Sequence, residues 1–274
     1  MQFALINKNK VEASPNRKGL CPHCLQPVFA KCGKQKVWHW AHNSKIACDK
    51  WWEPETEWHR AWKNNYPADW QEISLADEKT GEKHIADVRT SHNLVIEFQH
   101  SKIDPQERVS REKFYKNMVW IVDGTRREDD YISFLKGKNN RFLYTVFHKT
   151  DNPEIFRVDF PELCFPSGWL ESSVPVIFDF RGDSTLNDPE GMRNRLYCLF
   201  PKIGKHTRVA EISHNAFINT TTNGKWSLWV SNFMDSFKKQ DEIERQKQQQ
   251  PKSRTISLRP LGSPLDRFIY KGRR

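Results

Sequence analysis

The chain has 274 residues, with 44 Lys and Arg against 34 Asp and Glu, giving a formal net charge of +10. Its 17 Phe, 11 Trp and 6 Tyr supply enough bulky apolar surface to exclude wholesale disorder. No run approaches the roughly 18 apolar residues of a membrane span. Met1–Lys10 lacks the apolar stretch of a secretory leader, so a cytoplasmic chain with reduced cysteines is expected. The charge is uneven: residues 1–50 and 238–274 each carry a net +7, and residues 51–237 carry −4.

In chain order, metal-binding chemistry comes first. Cys21-Pro-His-Cys24 is followed, fifteen residues after Cys24, by His39-Trp-Ala-His42. Two thiolates and two imidazoles fill a tetrahedral Zn²⁺ site, and each close pair suits a tight turn that presents two ligands. The expected set is Cys21, Cys24, His39 and His42, with His23, Cys32 and Cys48 as possible replacements for one member. The stretch 27–38 reads as two short strands around a turn, as in a zinc ribbon or knuckle. With all four positions filled by protein, such a zinc is structural and not catalytic. Seven Trp between positions 38 and 70 are expected to pack this module onto the next one, with base stacking by one or two as a second use.

Pro54–Tyr66 reads as a helix with Pro54 at its first position, and Glu55, His59 and Lys63 share one of its faces. Asp69–Ala76 is a strand in which Trp70, Ile73 and Leu75 point inward. A turn at 77–82 leads to a second strand, Lys83–Thr90, and a third, Leu94–Gln99. Asp104 caps a helix that starts at Pro105 and runs through Asn117, and Met118–Asp123 is a buried strand. Asp87 and Glu97 interrupt two adjacent apolar strands. A charge there is costly unless it is paired or binds metal. Glu97 and Gln99 lie two apart on one face, and the hairpin brings Asp87 toward them. This is the hard-oxygen setting that Mg²⁺ or Mn²⁺ prefers.

The order α-β-β-β-α-β, with an acid on the second strand and Glu-x-polar on the third, resembles the PD-(D/E)XK nuclease core. With Cys21-Pro-x-Cys24, His39-x-x-His42, Glu55-Thr-x-x-His59-x-x-x-Lys63, Ala86-Asp87-Val88, Ile96-Glu97-Phe-Gln99-x-Ser101, Arg111, Tyr115 and Trp120-Ile121-Val122, the chain resembles more specifically the competence protein CoiA-like family over residues 1–150. The resemblance implies metal-dependent hydrolysis of nucleic acid, DNA ahead of RNA. Asp87 and Glu97 would hold Mg²⁺ or Mn²⁺ with help from a strand carbonyl near Phe98, and Glu55 would add an outer contact. Gln99 stands where the superfamily usually has lysine. Gln can orient water but brings no charge, and Lys63, one turn from His59, is the cation expected to replace it. Asp87→Ala, Glu97→Ala and Gln99→Ala are each expected to abolish cleavage. A partner that switches the enzyme on fits the resemblance, as does the alternative of a non-catalytic nucleic-acid-binding adaptor on a degenerate core.

Past residue 150, strands are expected at Glu154–Phe160, Val174–Phe180, Arg195–Phe200 and His206–Ile212, with helices at Asn215–Asn219 and Ser231–Gln250. Cys164 and Cys198 have no ligand partners at useful spacing and read as buried thiols. The resulting division is a zinc-knuckle domain (1–50), a nuclease-like α/β core (51–150), a β-rich C-terminal region (151–237) that either extends the core sheet or stands beside it, and a basic, flexible tail (238–274). The C-terminal region or tail is the expected place for a protein partner. The basic ends are expected to grip phosphate, and no feature suggests a small-molecule substrate.

Overall fold

The computed structural model describes residues 1–43, 48–77, 79–143, 146–181 and 191–249. It is a mixed α/β fold with two sheets. The N-terminal module is an antiparallel five-stranded sheet of β1 (Phe3–Ile6), β2 (Asn9–Glu12), β3 (Lys18–Leu20), β4 (Pro27–Lys31) and β5 (His39–His42), in the order β2-β1-β3-β4-β5. Strand β4 is the first of the two expected within 27–38, whereas the second forms not there but at 39–42, on the histidine stretch itself. The small core beneath them holds Ala4, Cys21, Val28 and Trp40, little apolar mass for a stable unit.

The second sheet follows the sequence order closely at first. It contains α1 (Glu57–Lys63), β6 (Gln71–Ala76), β7 (Lys83–Arg89), β8 (Val95–Gln99), α2 (Pro105–Tyr115) and β9 (Met118–Asp123). Helix α1 starts at Glu57 and not at Pro54, because Thr56 is the residue that caps it. The Thr56 hydroxyl accepts from the His59 amide at 3.3 Å, and His59 Nδ1 accepts from the Thr56 amide at 3.4 Å. At α2 the expected cap holds: Asp104 accepts from the amides of Gln106 and Glu107, with Pro105 opening the helix.

Beyond β9 come α3 (Glu128–Lys138), β10 (Phe147–Lys149), β11 (Ile155–Val158), β12 (Val176–Asp179), β13 (Arg195–Leu199), β14 (Thr207–Ser213), α4 (His214–Thr222) and α5 (Trp226–Gln249). These strands do not form a sheet of their own. Strand β12 pairs in parallel with β9, and one nine-stranded sheet runs β10-β11-β14-β13-β12-β9-β8-β7-β6. The boundary placed at residue 150 therefore falls inside one continuous sheet. The boundary at 238 falls inside α5, and the tail from residue 250 on lies outside the described residues.

All six residues of β9 are buried, as expected of a central strand covered on both faces. On one face Trp120, Phe134, Phe178 and Tyr197 pack together. On the other, Ile96, Phe98, Ile121, Ile177 and Phe217 pack beneath α1, α4 and α5. The expected apolar stripe of α5 is present, with Phe233 and Phe237 meeting Phe200 at 5.8 and 5.1 Å. Asp179, at the end of β12, joins the halves. Its carboxylate accepts from the indole N–H groups of Trp58 at 3.0 Å and Trp62 at 2.9 Å. Burial pushes its pKa up, but hydrogen bonds from His214 and the Arg181 amide outweigh this, and the net shift is downward.

Candidate metal centre and acidic cleft

Strand geometry sets the metal centre. His39 and His42 lie three apart on β5, and side chains alternate along a strand, so the two imidazoles cannot share a face. His42 turns to the cysteines, and its Nε2 lies 3.2 Å from Cys24 Sγ. His39 turns away, its Nδ1 donating to the Val37 carbonyl at 2.8 Å. Cys48 takes the fourth place, with its Sγ 3.8 Å from that of Cys21. A zinc ion with bonds of about 2.3 Å to sulfur would set two tetrahedral ligands roughly 3.8 Å apart. The ligand atoms of Cys21, Cys24, His42 and Cys48 lie within 4.8 Å of one another, so these four are placed to hold a metal, consistent with structural zinc. The sequence reading was thus wrong at His39 and right at the other three, with Cys48 among its alternatives.

His23 points out of the cluster toward the Ser74 hydroxyl at 2.8 Å, while its amide donates to Cys21 Sγ at 3.4 Å. Burial raises the thiol pKa of both Cys21 and Cys48, and the neighbouring sulfurs raise that of Cys48 further. A cation would reverse that shift, so metal uptake releases protons.

The second site lies where β7 and β8 part. Their ladder holds only at Val88–Ile96 and Arg89–Val95. Past it the acid side chains take over from the backbone. The Asp87 amide donates to Glu97 Oε1 at 3.2 Å, and the Phe98 amide donates to Asp87 Oδ2 at 2.9 Å. The two carboxylates are therefore held in the fork by main-chain donors, and Asp87 Oδ1 has no hydrogen bond among the described residues. Burial raises the pKa of Glu97 well above the usual carboxylate range, and the charge of Asp87 adds to this. Arg111 on α2 opposes the shift by donating to Glu97 Oε2 at 3.1 Å. The same guanidinium donates to the Trp51 carbonyl at 2.6 Å and to Glu107.

Lys63 enters from α1, wholly buried. Its ammonium lies 2.5 Å from Glu55 Oε1 and 3.1 Å from Glu72 Oε1. Burial alone would lower its pKa; Glu72, Glu55 and Asp87 outweigh that and raise it. Burial likewise acts to raise the pKa of Glu55, but Lys63 and Arg60 bring it down to about 2. Glu72, absent from the sequence reading, sits in β6 at φ 48°, a conformation rare for a non-glycine residue. This turn takes it out of the ladder, which pairs Gln71 with Val88 and Ile73 with Ala86 but leaves Glu72 unpaired. Its carboxylate instead accepts from the amides of Gln2 and Phe3 at 2.6 and 3.0 Å. No spacing in the sequence marks it: Trp70 falls in the 3₁₀ turn Ala68–Trp70, so the strand expected from Asp69 begins only at Gln71, and the register is the same on both sides of Glu72.

Glu55, His59, Lys63, Asp87 and Glu97 line one cavity of about 70 Å³, with Glu53 and Trp52 among the residues at its wall. This is room for a few waters and not for a nucleotide. Gln99 is not in that lining. Its amide nitrogen donates to the Ser101 carbonyl and hydroxyl, both at 3.2 Å, and its Oε1 is buried without a partner. His59 Nε2 donates to the Phe98 carbonyl at 2.9 Å, so the strand carbonyl expected to face a metal already carries one hydrogen bond. Among the described residues, the cysteine-rich cluster is the single group of three or more convergent His, Cys, Asp or Glu ligands.

Fold and site together define a mixed α/β protein with a metal-capable cysteine-rich module set against an acid-bearing sheet. Residues 5–50 match the family model of the competence protein CoiA, N-terminal domain, which supports the resemblance to the CoiA family on the segment that carries the metal centre. No curated protein and no solved structure matches the chain. No described helix is long and apolar enough to cross a membrane.

Proposed function

We propose that the chain is a metal-dependent nuclease acting on nucleic acid, DNA ahead of RNA, with a PD-(D/E)XK-type core and a structural Zn²⁺ at Cys21, Cys24, His42 and Cys48. The observation that carries this reading is the fork between β7 and β8, where Asp87 and Glu97 meet at a cavity of water size. Two acids so close, one with its pKa raised by the other's charge, gain from a divalent cation. Mg²⁺ needs only one or two carboxylates and keeps several waters, so the absence of a third convergent acid does not count against it. When bound, Mg²⁺ would supply Lewis-acid stabilisation of phosphoryl oxygens and acidify a bound water.

The protein groups have separable tasks on this reading. Asp87 and Glu97 would be the metal ligands. Arg111 orients Glu97, and His59 fixes the Phe98 carbonyl between the two strands. Lys63 is committed to Glu55 and Glu72. It therefore acts as a buried counter-charge to those two glutamates, and not as a mobile replacement for the missing lysine. Trp52, half exposed at the cavity wall, is the candidate to stack on a base.

The test is incubation with single- and double-stranded DNA and RNA in Mg²⁺, Mn²⁺ or EDTA. Cleavage that requires metal and falls at least about 100-fold in Asp87→Ala and Glu97→Ala, with folding retained, is the expected result. Undiminished cutting by both variants refutes the site. Salt-sensitive binding with no cutting under any condition favours the adaptor reading, to which the engaged Lys63 and the neutral Gln99 lend support.

A further inference from the structure

A groove at the far end of the large sheet has an unusual charge arrangement. Arg157 on β11 and Arg208 on β14 are directly opposite one another in the antiparallel ladder. Like charges at such positions repel, because the paired Cβ atoms lie about 5 Å apart. Arg208 is 5 % exposed, and its guanidinium lies over the ring of Phe237 at 4.6 Å. It makes no hydrogen bond or ion pair among the described residues. Burial pushes its pKa down, Glu244 and Asp241 oppose this, and Arg157 adds to the fall. The nearby acids are engaged elsewhere: Glu244 with His206 at 2.9 Å and Asp241 with Arg245 at 2.8 Å. Arg157 has a buried Nε without a hydrogen bond, 3.7 Å from Asp159.

A largely desolvated cation without an ion pair of its own, beside a second of the same sign that pairs only with Asp159 at 3.7 Å, is stabilised when an anion completes it. Both arginines line an open groove of about 480 Å³ between β10, β11, β14 and α5, which Lys149 and Lys247 also line, against the acids Asp151 and Glu244. A second cavity of about 500 Å³ shares Arg208, Thr150 and Gln240 with it and extends the groove along α5. The planar forks of two arginines suit phosphate oxygens, and the flanking lysines add point charge. Residues 251–274 carry seven Lys and Arg against one Asp, so the chain's own C-terminal segment has the wrong sign to fill the groove and the right sign to extend it.

We propose that Arg157 and Arg208 form a phosphate-binding exosite for the backbone of a nucleic acid, separate from the acidic fork. Strand β14 is four strands from β8, roughly 19 Å at about 4.8 Å per strand. The exosite needs no cutting by Asp87 and Glu97, and its test is run without chemistry.

Fluorescence anisotropy in EDTA, with a labelled duplex and a single strand of about 30 nucleotides, compares the wild type with Arg157→Gln/Arg208→Gln and Lys149→Gln/Lys247→Gln. Neutralising two phosphate contacts should weaken binding about tenfold or more and reduce the slope of log K against log salt by about 2. The lysine pair is exposed, so it keeps the test valid if the arginine pair fails to fold; it should weaken binding in the same direction. Unchanged affinity and slope in the folded arginine variant, or in the lysine variant where the arginine variant does not fold, overturns the exosite. Loss of polyglutamate binding with oligonucleotide binding intact also overturns it, and assigns the groove to an acidic protein.

Discussion

Replacing Lys63 with methionine removes the one ammonium buried among Glu55, Glu72 and Asp87. The depression of the Glu55 pKa from 4.5 to about 2 corresponds to roughly 3 kcal/mol of favourable interaction, shared between Lys63 and Arg60, and breaking a buried ion pair typically costs about 3–5 kcal/mol. We therefore expect Lys63→Met to lose about 3–5 kcal/mol at pH 7. The pH dependence has a definite sign. Glu55 has a folded pKa below its unfolded one, so in the wild type its contribution is complete above about 4.5 and fades as the pH falls toward 2. In the variant Glu55 keeps Arg60 at 2.6 Å but Glu72 loses its ion pair with Lys63 and takes up a proton sooner, so the gap to the wild type narrows between pH 7.5 and 5. Urea unfolding followed by tryptophan fluorescence at both pH values measures this. Lys63→Met/Glu72→Gln, with one stranded charge fewer, should recover at least about 1 kcal/mol of the loss. A gap under about 1 kcal/mol at pH 7.5, or one that is the same at both pH values, would refute the reasoning.

Other substitutions probe the remaining features. Cys48→Ser should lose the bound zinc and lower the melting temperature, while His39→Ala keeps about one zinc per chain; elemental analysis of both decides between the two ligand sets. Glu97→Gln should melt at or above the wild-type temperature in EDTA, because it removes a buried carboxylate whose folded pKa lies above its unfolded one and whose ionisation costs stability as pH rises. On the proposed reading Mg²⁺ should raise the melting temperature of the wild type and leave that of this variant unchanged. Asp179→Leu leaves two buried indole N–H groups unpaired and should cost about 2–4 kcal/mol in chemical denaturation. Gln99→Ala, against the expectation from the resemblance, should reduce cleavage less than Asp87→Ala does in the same assay, since Gln99 does not line the cavity.

Much of the central fold was legible because it rests on local signals. Asp104 and Pro105 mark a helix start, alternation marks the strand that carries Asp87, and an apolar run marks the one that carries Glu97. What the sequence did not reveal depends on distance or on local irregularity. The parallel pairing of β12 with β9 joins segments about fifty residues apart, and no periodicity within either strand specifies a partner. Helix α3 was missed although it opens with Glu128, Asp129 and Asp130. Gly137, near its end, argues against a helix on propensity but allows the sulfur of Cys164 to pack against the backbone. The error at His39 came from reading a ligand pair by spacing alone, when a three-residue step along a strand reverses the face.

The first strand of the chain has two attachments. Its amides cap Glu72 at the edge of the acidic cavity, and Met1, just before it, lies 3.6 Å from the sulfur of Cys21 through its own sulfur. The ordering of the cysteine cluster and the ordering of the cleft are therefore linked in free energy, and by reciprocity each must favour the other. A chelator that strips the N-terminal module should make the amides of β6 exchange with solvent faster although no ligand of that metal lies in β6. A divalent ion taken up at the fork should in turn slow the loss of zinc.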